Sequence, residues 1–372
     1  MNQENLDVYR ELQQHLDKMP VGYPTTESGV ELRILSHLFT PDEAKIATNL
    51  NFQPEPLKVI YRRVKKRGIS IEELERKLDE MYQKGAINMG KRKEGDVEVK
   101  YYASAPIVVG MFEYQLNRLT EDFVKDIYKY FEEAFWDKEF NKSGIPQIRT
   151  IPIEQSFEYE QSISTYDDLR AIIENIDGPI SLAECVCRKS KDLIGESCKK
   201  TNLRESCFSF RTAAEMYIER GLGKEISKEE ALKILKKAEE DGLVIQPANS
   251  QRPRSICTCC GCCCEVLVNQ KRLAEPAQLF ASNYYAEVDE DLCTGCGICE
   301  ERCNMDAITL ENNISHINKA RCIGCGVCVP TCTSEAISLR KKEQETIPPK
   351  NSYNTYLAIM DKKAELARAE KS

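Results

Sequence analysis

All 18 cysteines of this 372-residue chain fall between Cys185 and Cys332, and none occurs before or after that window. Stable disulfides are disfavoured in a reducing compartment, where clustered thiols read as metal ligands or redox centres. The chain is long enough for two to four domains at roughly 100 to 200 residues each, so the thiols do not stand in for a missing core. Met1 to Arg10 is mostly polar and opens no basic-then-apolar leader. No apolar run approaches the roughly 18 to 20 residues that span a bilayer. A soluble, cytoplasmic protein is the expectation.

Composition narrows the chemistry. Charged residues make up 30% with a net charge of −8, so the protein as a whole does not attract nucleic acid. The three histidines, His15, His37 and His316, are not paired at ligand spacing. No phosphate-cradling Gly-x-x-x-x-Gly-Lys or dinucleotide-type Gly-x-Gly-x-x-Gly is present, and Gly221-Leu222-Gly223 completes neither. Nothing in the sequence asks for a flavin or nucleotide.

The sharpest signal is an internal duplication. Cys293, Cys296, Cys299 and Cys303 are followed 29 residues later by Cys322, Cys325, Cys328 and Cys332, and Ala307-Ile308 matches Ala336-Ile337. The spacing C-x2-C-x2-C-x3-C, twice, resembles bacterial-type ferredoxin domains with two [4Fe-4S] clusters. Two-residue gaps let three thiolates converge, and Gly295, Gly297, Gly324 and Gly326 let backbone N–H groups approach the sulfurs. The resemblance implies that Cys293, Cys296, Cys299 and Cys332 hold one cluster and Cys322, Cys325, Cys328 and Cys303 the other. It also implies flanking strands at Tyr285–Val288, Ile308–Leu310, Ile314–Ile317 and Ile337–Leu339, as a pseudo-twofold βαβ pair. Where that family carries proline after its fourth cysteine, this chain has Asn304 and Thr333. The resemblance covers about residues 283–342. A pair of four-thiolate zinc sites is the weaker reading, because zinc does not require the interlaced third gap.

Ten cysteines remain: Cys185, Cys187, Cys198, Cys207, Cys257, Cys259, Cys260, Cys262, Cys263 and Cys264. Their arrangement resembles multi-cysteine ferredoxin-domain proteins of anaerobes, a group largely without assigned function. Adjacent cysteines project in different directions, so six thiols in eight residues cannot all ligate one ion. The reading is at least one further Fe–S cluster, with zinc and uncoordinated thiols as rivals, since thiolate-only ligation suits both metals. Arg188, Lys189 and Lys191 would offset thiolate charge there.

The cysteine-free N-terminal half reads as helices and a hairpin. Thr40-Pro41-Asp42-Glu43 opens a helix over 44–50, Leu57–Arg67 forms a second closed by Gly68, and a Ser70/Glu73 capping box opens a third that Gly85 ends. A charged-tip hairpin around Gly95-Asp96 follows, and helices plus hairpin resemble a winged-helix domain. Between Lys58 and Lys100 there are 13 Lys/Arg and 8 Asp/Glu, the one region where DNA contact is electrostatically plausible; a solvated face used for protein contacts is the other reading. Phe112, Leu116, Leu119, Phe123, Ile127, Phe131 and Phe135 mark a long amphipathic helix over 111–140, for homodimerisation or packing on its own chain. Residues 145–153, with two prolines, read as a linker, and helices are expected over 167–176 and, from a Ser227/Glu230 capping box, over 227–241.

The expected architecture is multidomain α+β: an N-terminal extension (1–28), a winged-helix-like domain (29–105), a helical connector (106–180), a cysteine-rich α/β segment with an extra Fe–S or zinc site (181–282), the dicluster ferredoxin domain (283–342) and a charged tail (343–372) carrying an exposed or loosely docked helix. The expected function is low-potential electron transfer to or from a partner oxidoreductase, as a carrier or subunit rather than a stand-alone enzyme. The alternatives are a redox-responsive winged-helix regulator, and a reductase using the upstream cluster, for which no general acid or base stands out.

Overall fold

In the computed structural model, which describes residues 3–157 and 163–370, the chain forms two compact units, Met1–Ser143 with Ile359–Ser372, and Gly144–Ala358. The architecture is mixed helix and sheet, with several small sheets. Among the described residues no helix is long and apolar enough to cross a membrane.

The first unit opens with helices Gln3–Leu16, Val30–Leu38 and Pro41–Ala47. Thr40 and Glu43 exchange both hydrogen bonds of the capping box. Ser70 caps the Ile71–Gln83 helix through the Glu73 N–H, but only that half of the expected reciprocal pair forms. Leu74, Leu78 and Met81 supply the buried face of this helix. Strands β1 (Glu55–Pro56), β2 (Ile87–Glu94) and β3 (Val97–Ser104) make one sheet in the order β1-β3-β2, the hairpin turning at Gly95 with φ 64°.

The expected single helix over 111–140 is not what forms. Thr120 caps a new helix, Glu121–Tyr130, which continues through Phe131–Phe140 as a wider π-type helix; the chain before it makes only short turns. All of these apolar residues but the half-buried Leu119 are nonetheless buried, and Phe131, Phe135 and Trp136 pack tilted or edge-on with ring centroids 5.3–5.4 Å apart. Burial, rather than a continuous helical stripe, is what their spacing reported.

The second unit is built on a five-stranded antiparallel sheet of β4 (Ile180–Glu184), β5 (Glu205–Phe210), β6 (Gly223–Ile226), β7 (Val244–Pro247) and β8 (Ser255–Cys259), in the order β6-β4-β5-β8-β7. Register sorts its residues by face. Ile180, Leu182, Phe208, Phe210, Ile256 and Ile245 lie on one face and join the core with Ile172, Ile173, Leu235 and Ala238 of helices Leu169–Glu174 and Lys228–Glu240. The alternate positions Ala183, Cys207 and Cys257 pair across the opposite face, which Cys259 shares.

Residues 145–153 are not a linker. Ile148 and Ile151 bridge Ala248 and Ile245, so the segment lies along the edge of β7. The C-terminal helix Ser352–Ala369 is anchored rather than loose: Thr355 Oγ1 donates to the Asn249 carbonyl at 2.6 Å, and Lys363 Nζ donates to both Glu139 oxygens at 2.7 and 2.8 Å.

Beyond the sheet, β9 (Tyr284–Val288) pairs antiparallel with β12 (Ile337–Lys341), and β10 (Ile308–Glu311) with β11 (Ile314–Ile317). Helix Ile298–Arg302 stands between β9 and β10, whereas the second repeat has only a single turn, Val329–Thr331, containing Pro330.

Glu239, near the end of the Lys228–Glu240 helix, is 2% exposed and accepts the Glu154 N–H at 2.9 Å. Burial, reinforced by the Glu154 charge, pushes its carboxyl from 4.5 up to about 7. Between these values the folded chain holds a proton that the unfolded chain has released. The resulting stability is complete below 4.5 and is lost as pH rises through 7. Glu239→Gln should flatten this dependence and, above pH 7, stabilise the chain by about 2 kcal/mol, read from anaerobic urea unfolding at pH 5 and pH 8.

Candidate metal centres

The turn after β8 divides the upstream thiols into two groups. Cys260, Cys262 and Cys263 meet Cys198, which arrives from the loop after helix Val186–Leu193, and the four sulfurs all lie within 4.8 Å of one another. Cys198 is 3.7 Å from both Cys260 and Cys262, and Cys262 is 3.7 Å from Cys263. A tetrahedral ion with metal–sulfur bonds of about 2.3 Å holds its thiolates roughly 3.8 Å apart. These separations fit four thiolates around one ion; in a cubane each thiolate sits on its own iron and the sulfurs spread further. The Cys260, Cys262 and Cys263 thiols facing Cys198 push it below the ordinary thiol range, the direction that favours thiolate ligation.

The other six form a second group. Cys185 neighbours Cys187, Cys187 neighbours Cys264, Cys264 neighbours Cys259, and Cys259 neighbours Cys257, which faces Cys207 across the β5–β8 ladder. Arg188 lies beside both groups. Its side chain is fully buried and donates to the Leu203 carbonyl at 3.1 Å, Ser206 Oγ at 2.6 Å and the Thr258 carbonyl at 2.5 Å, while Cys185, Cys259 and Cys260 feel its charge. The expectation that Lys189 and Lys191 share this task fails: their ammonium groups pair with Glu184 and Glu196.

The duplicated cysteines lie around the paired strands. Cys303, Cys322, Cys325 and Cys328 are mutual electrostatic neighbours, and burial followed by the nearby Cys303 and Cys322 thiols pushes Cys325 up to about 12. Backbone amides in or beside the strands point at sulfur: Ala286 N–H to Cys322 Sγ at 3.3 Å, Ala307 N–H to Cys303 Sγ at 3.3 Å, and Ser315 N–H to Cys293 Sγ at 3.4 Å. The Ser315 and Gly295 amides hold Cys293 below its ordinary value. Ser315 Oγ is also 3.2 Å from Cys299 Sγ. Cys296 is exposed, and Cys332 is 3.6 Å from Ser334 Oγ. Gly295 and Gly324 occupy matching places with φ 66° and 63°; a Cβ would fall 2.3 Å from the Asn313 carbonyl oxygen in one and 2.1 Å from that of Tyr284 in the other. One cysteine loop is therefore pressed onto the β10–β11 turn and the other onto the start of β9.

Asn304, where the ferredoxin pattern has proline, joins the duplicated region to the upstream thiols. It is 2% exposed; its Oδ1 accepts the Gly261 N–H at 2.8 Å, between Cys260 and Cys262, and its Nδ2 donates to the Gly242 carbonyl at 2.8 Å. Arg302, on the other side of Cys303, donates to the Val327 and Glu239 carbonyls at 2.6 and 2.9 Å. Val327 and Cys325 pack in the same apolar cluster as Cys198, Cys260, Cys262 and Cys263. The sequence marked Asn304 only as a departure from a pattern, and gave no signal for Ser315.

Asn304→Ala leaves the Gly261 N–H and Gly242 carbonyl unpaired inside the protein, at about 1–3 kcal/mol each. Because Gly261 is flanked by thiols of the four-cysteine group, the variant should also release metal from that group about 10–100-fold more readily, read by chelator competition.

Residues 285–333 match the family model described as a 4Fe-4S dicluster domain. No curated protein and no solved structure matches the chain. The chain therefore carries a ferredoxin-like dicluster domain at residues 285–333, with an iron–sulfur cofactor and the electron-transfer role that goes with it.

Proposed function

We propose that the protein conducts single electrons between a partner oxidoreductase and its own upstream metal sites, using two [4Fe-4S] clusters. Cys293, Cys296, Cys299 and Cys332 would hold one cluster, and Cys322, Cys325, Cys328 and Cys303 the other. The clusters supply reversible one-electron chemistry. The observation that carries the reading is the set of backbone amides aimed at Cys293, Cys303 and Cys322, because N–H···S bonds stabilise ligated thiolate and set potential. Cys198, Cys260, Cys262 and Cys263 would hold a single tetrahedral ion.

The residues suggest an entry and a direction. Cys296 is exposed, and the neighbouring Leu292 and Ile298 are large apolar side chains left 50% and 43% exposed, a surface suited to a docking redox protein. Cys325 instead packs with Val327 in the apolar cluster of the Cys198 group, and Asn304, next to Cys303, accepts the Gly261 N–H between two of that group's thiols.

The region resembling a winged helix (29–105) fits protein contacts better than DNA. The Ile71–Gln83 helix, which precedes the hairpin, carries five acids against two bases, and Arg63 of the basic helix is already paired with Glu55. The regulator reading keeps the Lys65-Lys66-Arg67 turn in its favour.

Anaerobically purified protein should contain about eight iron and eight sulfide attributable to residues 285–333, and dithionite should elicit two interacting EPR signals. Cys293→Ala should remove about four of those irons; retention of all of them would reject the assignment. Fluorescence titration with duplex DNA at low salt should show no redox-dependent binding, and binding that weakens steeply with salt would instead support the regulator.

A further inference from the structure

We propose that Cys185, Cys187, Cys207, Cys257, Cys259 and Cys264 bind a second upstream metal centre, a polynuclear metal–thiolate cluster separate from the four-thiol site at Cys198. The placement comes from register. Cys257 and Cys259 occupy alternate positions of β8 and so share one face, Cys207 is the cross-strand partner of Cys257, and Cys260 and Cys263 turn into the apolar core. Cys185 and Cys264 close the group as the residues immediately preceding helices Val186–Leu193 and Glu265–Lys271, with Cys187 between them.

Number and charge select the ligand class. One tetrahedral ion takes four thiolates, so six linked neighbour to neighbour require at least two ions with shared ligands or bridging sulfide. Soft thiolates alone select zinc, copper(I) or iron–sulfur chemistry. Arg188 points independently to an anionic occupant. Its guanidinium is fully buried and every oxygen it reaches is a neutral carbonyl or hydroxyl, while the thiols beside it come from both groups, Cys185 and Cys259 of the six and Cys260 of the four. A buried cation without a carboxylate is costly unless anions face it, and metal-bound thiolates are such anions.

The test is metal and acid-labile sulfide analysis of the anaerobically purified full chain. The dicluster domain accounts for about eight metal ions and the Cys198 group for one more. The wild-type protein should therefore hold at least about eleven metal ions per chain. A Cys207→Ser/Cys257→Ser variant should lose at least two, while retaining the EPR signals of the dicluster domain and the ion that Cys262→Ser removes on its own. Loss of iron with sulfide identifies an iron–sulfur centre, and loss of zinc or copper without sulfide a sulfide-free cluster; either outcome supports the proposal. A wild-type total of about ten or fewer, with the dicluster signals at full intensity, overturns it whatever the variant does. Loss of no more than one ion from a variant with wild-type circular dichroism overturns it as well. A deficit confined to the dicluster iron, with the Cys207/Cys257-dependent ions still present, counts against the electron-transfer reading and leaves this site standing.

Discussion

The alternation of side chains along β8 is the constraint on which the metal chemistry of the second unit depends. A strand sends successive residues to opposite faces, so Cys257 and Cys259 share the face of Cys207 while Ile256 completes the core with Phe208. The chain then turns at Gly261 and carries Cys260, Cys262 and Cys263 to Cys198. Moving the strand by one residue would exchange the apolar and thiol faces together. The hydrophobic core therefore fixes which cysteines can meet. Arg188, held by the Ser206 hydroxyl and the Leu203 and Thr258 carbonyls, sits where the two thiol groups come nearest in sequence.

Two side chains flanking Cys303 tie the duplicated cysteine region to this sheet. Arg302 occupies the carbonyl end of the Lys228–Glu240 helix, where a cation is favoured, and Asn304 spans from Gly242 to Gly261. Both contacts are to backbone, so they fix position without depending on the rotamer of a partner. The loops bearing Cys325 and Cys260 are packed in one apolar cluster as a result.

What the sequence disclosed was local. Thr40/Glu43 and Ser227/Glu230 announce helix starts because each capping box is complete within four residues. The 29-residue repeat announces paired cysteine loops because its spacing is itself the geometry. The division of the other ten cysteines was not legible, since it depends on Cys207 facing Cys257 across strands fifty residues apart in sequence. Residues 145–153 misled for the same reason: two prolines suggested a linker, while their pairing with Ile245 and Ala248 is a long-range contact. The aromatic spacing between Phe112 and Phe135 correctly marked burial but hid the new helix start at Thr120. Asn304 was visible as an anomaly, and only the position of Gly261 gave it a task.

The close fit at Gly261 bears on how the protein is assembled. A Cβ there would lie 2.5 Å from the Asn304 carbonyl oxygen, so the four-cysteine turn and the segment after Cys303 interlock at their backbones. Until the Cys303 segment closes, the turn lacks its Asn304 partner, and once it has closed the turn has little room to open. The interlock couples the two regions mechanically: the four-cysteine turn and the segment after Cys303 cannot shift against each other without parting the Gly261–Asn304 contact.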